Sequence, residues 1–356
     1  MNTFKNIIAA DLANPLLRLV ALANTLLFAS FIFVLLAAGH ARAEEAVCKR
    51  TDLVAGMART DPAKLEAIRM EAAKTPNGQG LLWKIEKDGV KPSWLFGTMH
   101  LTDPRVVNLT EQAETARDRA DIVAIEATEI LDQKAMVRTM AERPDLMMFT
   151  DSTTLEKLLP ADRLGMVKAA LEERGIPLSS VQKMKPWMLL GMLALPSCEL
   201  KRKKDGAPFL DLKLAEEAKA KGKTLEGLET IVEQLDAMAS LPMQFHIDGL
   251  VETLALGQKM DDVIETMIVL YSKGEISMIL PLMRAVSPEN TAFGDGYATF
   301  EEAIVTARNR TMAERGSALV DKGNAFIAVG ALHLPGENGL IELLRKRGYK
   351  VSRADR

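Results

Sequence analysis

Two short stretches near opposite ends of the chain are written in the same way. Gly97-Thr98-Met99-His100 follows the apolar run Trp94-Leu95-Phe96, and Gly330-Ala331-Leu332-His333 follows Phe326-Ile327-Ala328-Val329. A leucine comes next in both, with a proline soon after: Leu101 and Pro104, Leu334 and Pro335. Each stretch predicts a strand, a glycine where the backbone turns sharply or approaches something bound, a histidine, and then a helix start. The histidines lie 233 positions apart (333 − 100). A sheet that sets sequence-distant strands side by side brings them together, and parallel strands need long, usually helical, connections. The expected fold is therefore α/β, a mixed sheet carrying the Gly-x-x-His segments at strand carboxyl ends.

The remaining pattern supplies the other elements. Apolar runs at 81–85 and 93–97, with Asp88-Gly89 between them, predict a hairpin. Ile122-Val123-Ala124-Ile125 predicts a short buried strand that ends in Glu126. A region of about 130–300 is dominated by helical periodicity, at 161–174, 186–195, 210–221, 232–238, 244–259 and 261–272, with one short strand at 222–226. A long helix at 299–322, a strand at 325–330, a helix at 339–347 and a strand at 349–352 close the chain. Lys201-Arg202-Lys203-Lys204, just before Asp205-Gly206, reads as a solvated loop. The many methionines between Met184 and Met283 read as adaptable core filling.

The amino terminus carries a different signal. Residues 19–39 are almost wholly apolar, Lys5 and Arg18 precede them, and Ala41-Arg42-Ala43 follows. This is the pattern of a secretory signal peptide over residues 1–43. The run is also just long enough to span a bilayer, so an uncleaved anchor is the competing reading, and only then does a membrane become a partner. Either way, residues 44–356 are expected to be periplasmic or secreted. The two cysteines, Cys48 and Cys198, are then in an oxidising compartment and expected to pair, constraining the unfolded chain by roughly 4–5 kcal/mol. Net charge is −3; the first 43 residues contribute +2, leaving the remainder near −5. With no broad basic patch and only 5% aromatic residues, a nucleic-acid partner is not expected.

Beyond residue 43 only His100, His246 and His333 remain. The carboxyl edge of strands is where open α/β sheets bind ligands. Imidazoles from two neighbouring strands, joined by Glu126 at the end of a third, make a two-histidine, one-carboxylate metal set. Two structural histidines capping strand ends satisfy the same pattern. His246, in Gln244-Phe245-His246, has no glycine context and reads as structural. No His-Glu-x-x-His, Gly-x-Ser-x-Gly or Walker A segment is present.

Five blocks in order resemble the TraB/GumN family, relatives of the Tiki metalloproteases: Leu95-Phe96-Gly97-Thr98-Met99-His100; Ala120 to Glu126; Leu225-Glu226-Gly227-Leu228-Glu229-Thr230 with Glu233-Gln234; Arg308-Asn309-Arg310-Thr311-Met312; and Ala328 to Gly336 with the closing Gly339 to Val351. The resemblance implies a fold like that of erythromycin-esterase-like and ChaN-like proteins. It implies a periplasmic, metal-dependent hydrolase acting on a peptide or other small substrate. A divalent ion (Mn, Co or Zn) would be held by His100, His333 and Glu126, with Glu126, Arg308, Asn309 and Glu229 as catalytic candidates. Arg308 would clamp a substrate carboxylate or an oxyanion unless it pairs with Glu301 or Glu302. Glu229 and Gln234 would line the pocket or fix its wall, and Asp211 would support the site from behind. A non-enzymatic binder of peptide or haem, or an envelope-polysaccharide assembly factor, is the alternative that the same family allows.

Overall fold

In the computed structural model, residues 50–286 and 297–355 are described. The 19–39 run and Cys48, one half of the expected disulfide with Cys198, lie outside them. Among the described residues no helix is long and apolar enough to cross a membrane.

Six strands form one sheet: β1 (Leu82–Glu86), β2 (Ser93–Thr98), β3 (Ile122–Ile125), β4 (Thr224–Gly227), β5 (Ala325–Gly330) and β6 (Lys350–Arg353). Their order is β4-β3-β5-β2-β1-β6. The first four in that order run parallel; β1 pairs antiparallel with β2, and β6 antiparallel with β1. β1 and β2 make the expected hairpin, turning at Gly89 with a positive φ of 76°. β5 is central and buried on both faces, which is why its sequence is apolar without alternation. Phe96, Ile125, Phe326 and Ala328 face one hydrophobic layer, under the Leu210–Ala220 and Lys259–Ser272 helices. Leu95, Ala124, Ile327 and Val329 face the other, with the Ala307–Lys322 and Leu340–Lys346 helices. The helices between residues 155 and 193, with the Met243–Leu256 helix, have a separate core around Leu171, Leu189 and Leu250.

The parallel block fixes the site. Thr98 registers with Gly330 across β2 and β5, and Ile125 with Gly227 across β3 and β4. The segments leaving these four strands therefore emerge along one edge, as the chemistry of the sequence required.

Two sequence expectations change. Lys201–Lys204 is not a loop but the last turn of the Ser197–Lys204 helix, where clustered cations oppose the helix's negative carboxyl end. The 299–322 helix is interrupted: a π turn over Glu301–Thr306 precedes the regular Ala307–Lys322 segment.

Candidate active site

The two motif glycines are required by close approach. A Cβ on Gly97 would lie 2.8 Å from Leu334 Cδ1 and 3.1 Å from Ala331, so the segments after β2 and β5 press together there. A Cβ on Gly330 would lie 3.2 Å from Glu126 Oε1, and the Gly330 N–H donates to that oxygen at 2.7 Å. Tyr271 Oη donates to the Gly97 carbonyl at 2.9 Å, fixing the other turn from the Lys259–Ser272 helix.

Each histidine is oriented through Nδ1. His100 Nδ1 is 2.8 Å from Asp211 Oδ2, and the other Asp211 oxygen accepts from Thr98 Oγ1 at 2.9 Å. A carboxylate accepts only, so His100 carries a proton on Nδ1, and Nε2 is the nitrogen that a metal would take once its own proton is displaced. His333 Nδ1 lies 2.7 Å from Asn309 Oδ1. Asn309 Nδ2 donates to the Asn338 carbonyl at 2.8 Å, which assigns Oδ1 as the acceptor toward His333. His333 Nε2 is thereby left facing Glu126 Oε1 at 3.7 Å.

The electrostatics of the two imidazoles differ. Around His100 desolvation disfavours charge, but the Asp211 carboxylate outweighs it and pushes the ring up to about 9. His333 is held down to about 4, mainly by burial, with Arg308 adding to the effect against Glu126. Burial also works against a charge on Glu126, yet the imidazoles, Arg308 and the Gly330 amide offset it and hold the carboxyl at about 2.

Arg308 joins the acidic groups. Its Nη2 donates to Glu126 Oε2 and to Glu229 Oε2, each at 2.7 Å, and its Nε to Glu229 at 3.0 Å. Its Nη1 caps the Ile304 carbonyl, inside the π turn, at 3.3 Å. The alternative partners do not take it, and Glu302 instead pairs with Arg310 at 2.7 Å. Gln234 Nε2 donates to Glu126 Oε2 at 3.0 Å. A cleft of about 220 Å³ opens beside this network, with His100, Glu126, Asp211 and Gln234 among its lining residues.

Of the residues singled out from sequence, His100, His333, Glu126, Glu229, Arg308, Asn309, Gln234 and Asp211 thus form linked networks at one sheet edge. Asn309 acts through His333, and Arg308 is taken up by the chain's own carboxylates. His246 lies elsewhere, buried in the Met243–Leu256 helix with Nε2 unpaired. Thr98 and Tyr271 were not singled out. Thr98 stood inside the first motif, whereas Tyr271 is 174 positions from its partner and gives no local signal.

The chemistry of the donors suits a divalent ion on the imidazole side, where both Nε2 atoms are left for a ligand. On the carboxylate side Glu126 is already salt-bridged. Among the described residues no three His, Cys, Asp or Glu side chains are gathered closely enough to hold a metal in this arrangement.

The sequence model of the TraB/PrgY/gumN family matches residues 81–353. Metalloprotease TIKI1 of Xenopus tropicalis is 26% identical over 321 residues, covering 76% of this chain and 60% of the relative. Human metalloprotease TIKI1 is 26% identical over 325 residues, covering 77% and 61%. A metalloprotease TIKI homolog of Nematostella vectensis is 25% identical over 333 residues, covering 77% and 67%. The chain thus spans about three fifths of the length of the first two relatives. No solved structure matches it significantly.

Proposed function

Because the chain belongs to the TraB/PrgY/gumN family, we propose that it is an exported hydrolase that cleaves peptide bonds with a divalent metal ion held by His100 and His333. Glu126 is the third candidate ligand, and the catalytic candidates are Glu126, Glu229, Arg308 and Asn309. The observation that carries the reading is the orientation of both imidazoles, each with Nδ1 on an acceptor of low exposure and Nε2 left for a ligand. Histidines that only capped strand ends would not need that arrangement at both sites. The similarity to Tiki metalloproteases supports the reaction class.

The ion would supply Lewis acidity, polarising a carbonyl and making water a stronger acid. The residues do the rest. Asp211 and Asn309 hold the Nδ1 side of each ring and so direct both Nε2 atoms away from them. Glu126, ionised at neutral pH, accepts from Gly330 on one oxygen and keeps the other on Arg308 and Gln234. Glu229, paired through the same guanidinium, is the second candidate for the general base. Arg308 is salt-bridged to both carboxylates and helps to keep Glu126 ionised. Export rests on the 19–39 apolar run followed by Ala41-Arg42-Ala43.

The deciding experiment is elemental mass spectrometry on the purified protein beside a folded His100→Ala/His333→Ala variant. Near-stoichiometric metal in the native protein, lost in the variant, is the expected outcome. No metal in either, even after incubation with Mn, Co and Zn, overturns the scheme. The Arg308–Glu126 salt bridge favours what would then replace it, a binder that holds a peptide or haem-like ligand without turnover.

A further inference from the structure

We propose that the cleft beside His100 takes ligands in which a carboxylate stands next to an apolar side chain, and that Lys203 reads the carboxylate. This names a substrate class for the hydrolase reading and rests on it.

The cleft holds about 220 Å³. That is below the roughly 300–1,000 Å³ of pockets that enclose drug-sized ligands, and suits a single side chain with its flanking groups. Ile125, Ala127, Ile130 and Phe209 give it an apolar wall, and the Phe209 ring stands edge-on to His100 at 5.8 Å. Among the described residues that line it, Lys203 is the lysine or arginine. The two lining carboxylates are already answered, Asp211 by His100 and Glu126 by Arg308.

The ammonium of Lys203 is not demanded by its own helix. Among the described residues its nearest carboxylate, Glu199 Oε1, is 4.0 Å away, at the limit of an ion pair. Glu199 is nearly fully buried and well satisfied without it: Thr102 donates from N at 2.8 Å and from Oγ1 at 2.9 Å, and Arg202 from Nη2 at 2.8 Å. Those bonds anchor the Ser197–Lys204 helix to the segment two residues beyond His100. The helix is thereby held where its last turn carries Lys203 to the cleft. A charge that served only the helix end would leave ligand preference untouched, and the test reads that difference.

Two matched pairs of probes are titrated by NMR into the full chain, metal-free and Zn-loaded, with Lys203→Ala alongside. One pair is N-acetyl-leucine and N-acetyl-leucinamide. The other is N-acetyl-leucyl-glutamate and -glutamine, both as carboxyl-terminal amides. The native protein is expected to bind the carboxylate of at least one pair about tenfold more tightly than its amide, the size of one charge-assisted hydrogen bond. The variant loses that preference. Preference within the first pair assigns a chain-terminal carboxylate, and within the second an acidic side chain. Equal binding of acid and amide by the native protein, or a preference that survives Lys203→Ala, overturns the proposal. A binding preference without cleavage of any peptide sinks the hydrolase reading and leaves this one standing. Cleavage without a preference does the reverse.

Discussion

His100 and His333 leave neighbouring strands at the same edge of the sheet, but into different surroundings. The His100 side chain is 56% exposed and backed by the Asp211 carboxylate. That of His333 is 7% exposed and backed by the neutral Asn309 amide. The first is pushed up to about 9 and the second down to about 4. A shared four-residue segment sets where each imidazole starts. Its Nδ1 partner and its burial, supplied by helices far away in sequence, set what it does. The pair divides into a solvent-facing group with strong electron donation behind it and a dry, neutral one beside Glu126.

Arg308→Ala attacks the comparison hardest. It strands Glu126 and Glu229 as buried, uncompensated charges, and loss of one partner of a buried pair costs about 3–5 kcal/mol. Urea unfolding should register that loss. In protein that still folds, NMR should show His333 titrating higher, because the guanidinium is one of the groups holding it down.

The metal-free protein should also lose stability in opposite directions with pH. Glu126 at about 2 against an ordinary 4.5, and His333 at about 4 against 6.5, lie below their unfolded values. Their contributions are present above those ordinary values and fade as pH falls through the folded ones. His100, raised from 6.5 to about 9, stabilises fully below pH 6.5 and stops doing so as pH rises through 9. Melting temperatures from pH 3 to 10 should fall at both ends, and Asp211→Asn should flatten the alkaline limb alone. An unchanged alkaline limb in that variant would mean that Asp211 does not hold the charge on His100.

A reciprocal exchange sharpens the contrast at smaller amplitude. Asn309→Asp places a carboxylate against His333 and should raise its titration by about 1–3 pH units. Asp211→Asn should lower that of His100 and weaken metal binding by about 10–100-fold, as loss of a supporting hydrogen bond to a ligand does. Histidine NMR titrations and competition with a metal-binding dye measure the two effects.

Much of this was legible from the residues. The β2 and β5 strands, the acidic end of β3, the short β4 inside a helical stretch and the paired histidines all follow from local apolar pattern and from glycine and proline punctuation. Those signals act over a few residues, and local sequence holds them. Arg308 shows where they stop. Glu301 and Glu302 are its near neighbours in sequence, but the π turn over Glu301–Thr306 changes the phase of the helix, so Glu302 meets Arg310 and Arg308 reaches Glu126 and Glu229. The Lys201–Lys204 run likewise looks like a loop by composition, and becomes helical because Glu199 docks its helix on Thr102.

By itself, then, the sequence determined the α/β class, the identity of the candidate ligands and their placement at strand ends, because periodicity and turn chemistry are short-range. Tertiary structure decided the strand order, the Nδ1 partner of each imidazole, the partners of Arg308 and the approach of Lys203 to the cleft. Each of those depends on hydrogen bonds, ion pairs or packing between groups that mostly lie far apart along the chain. No local pattern specifies which of several chemically similar partners the packing of the helices will bring within reach.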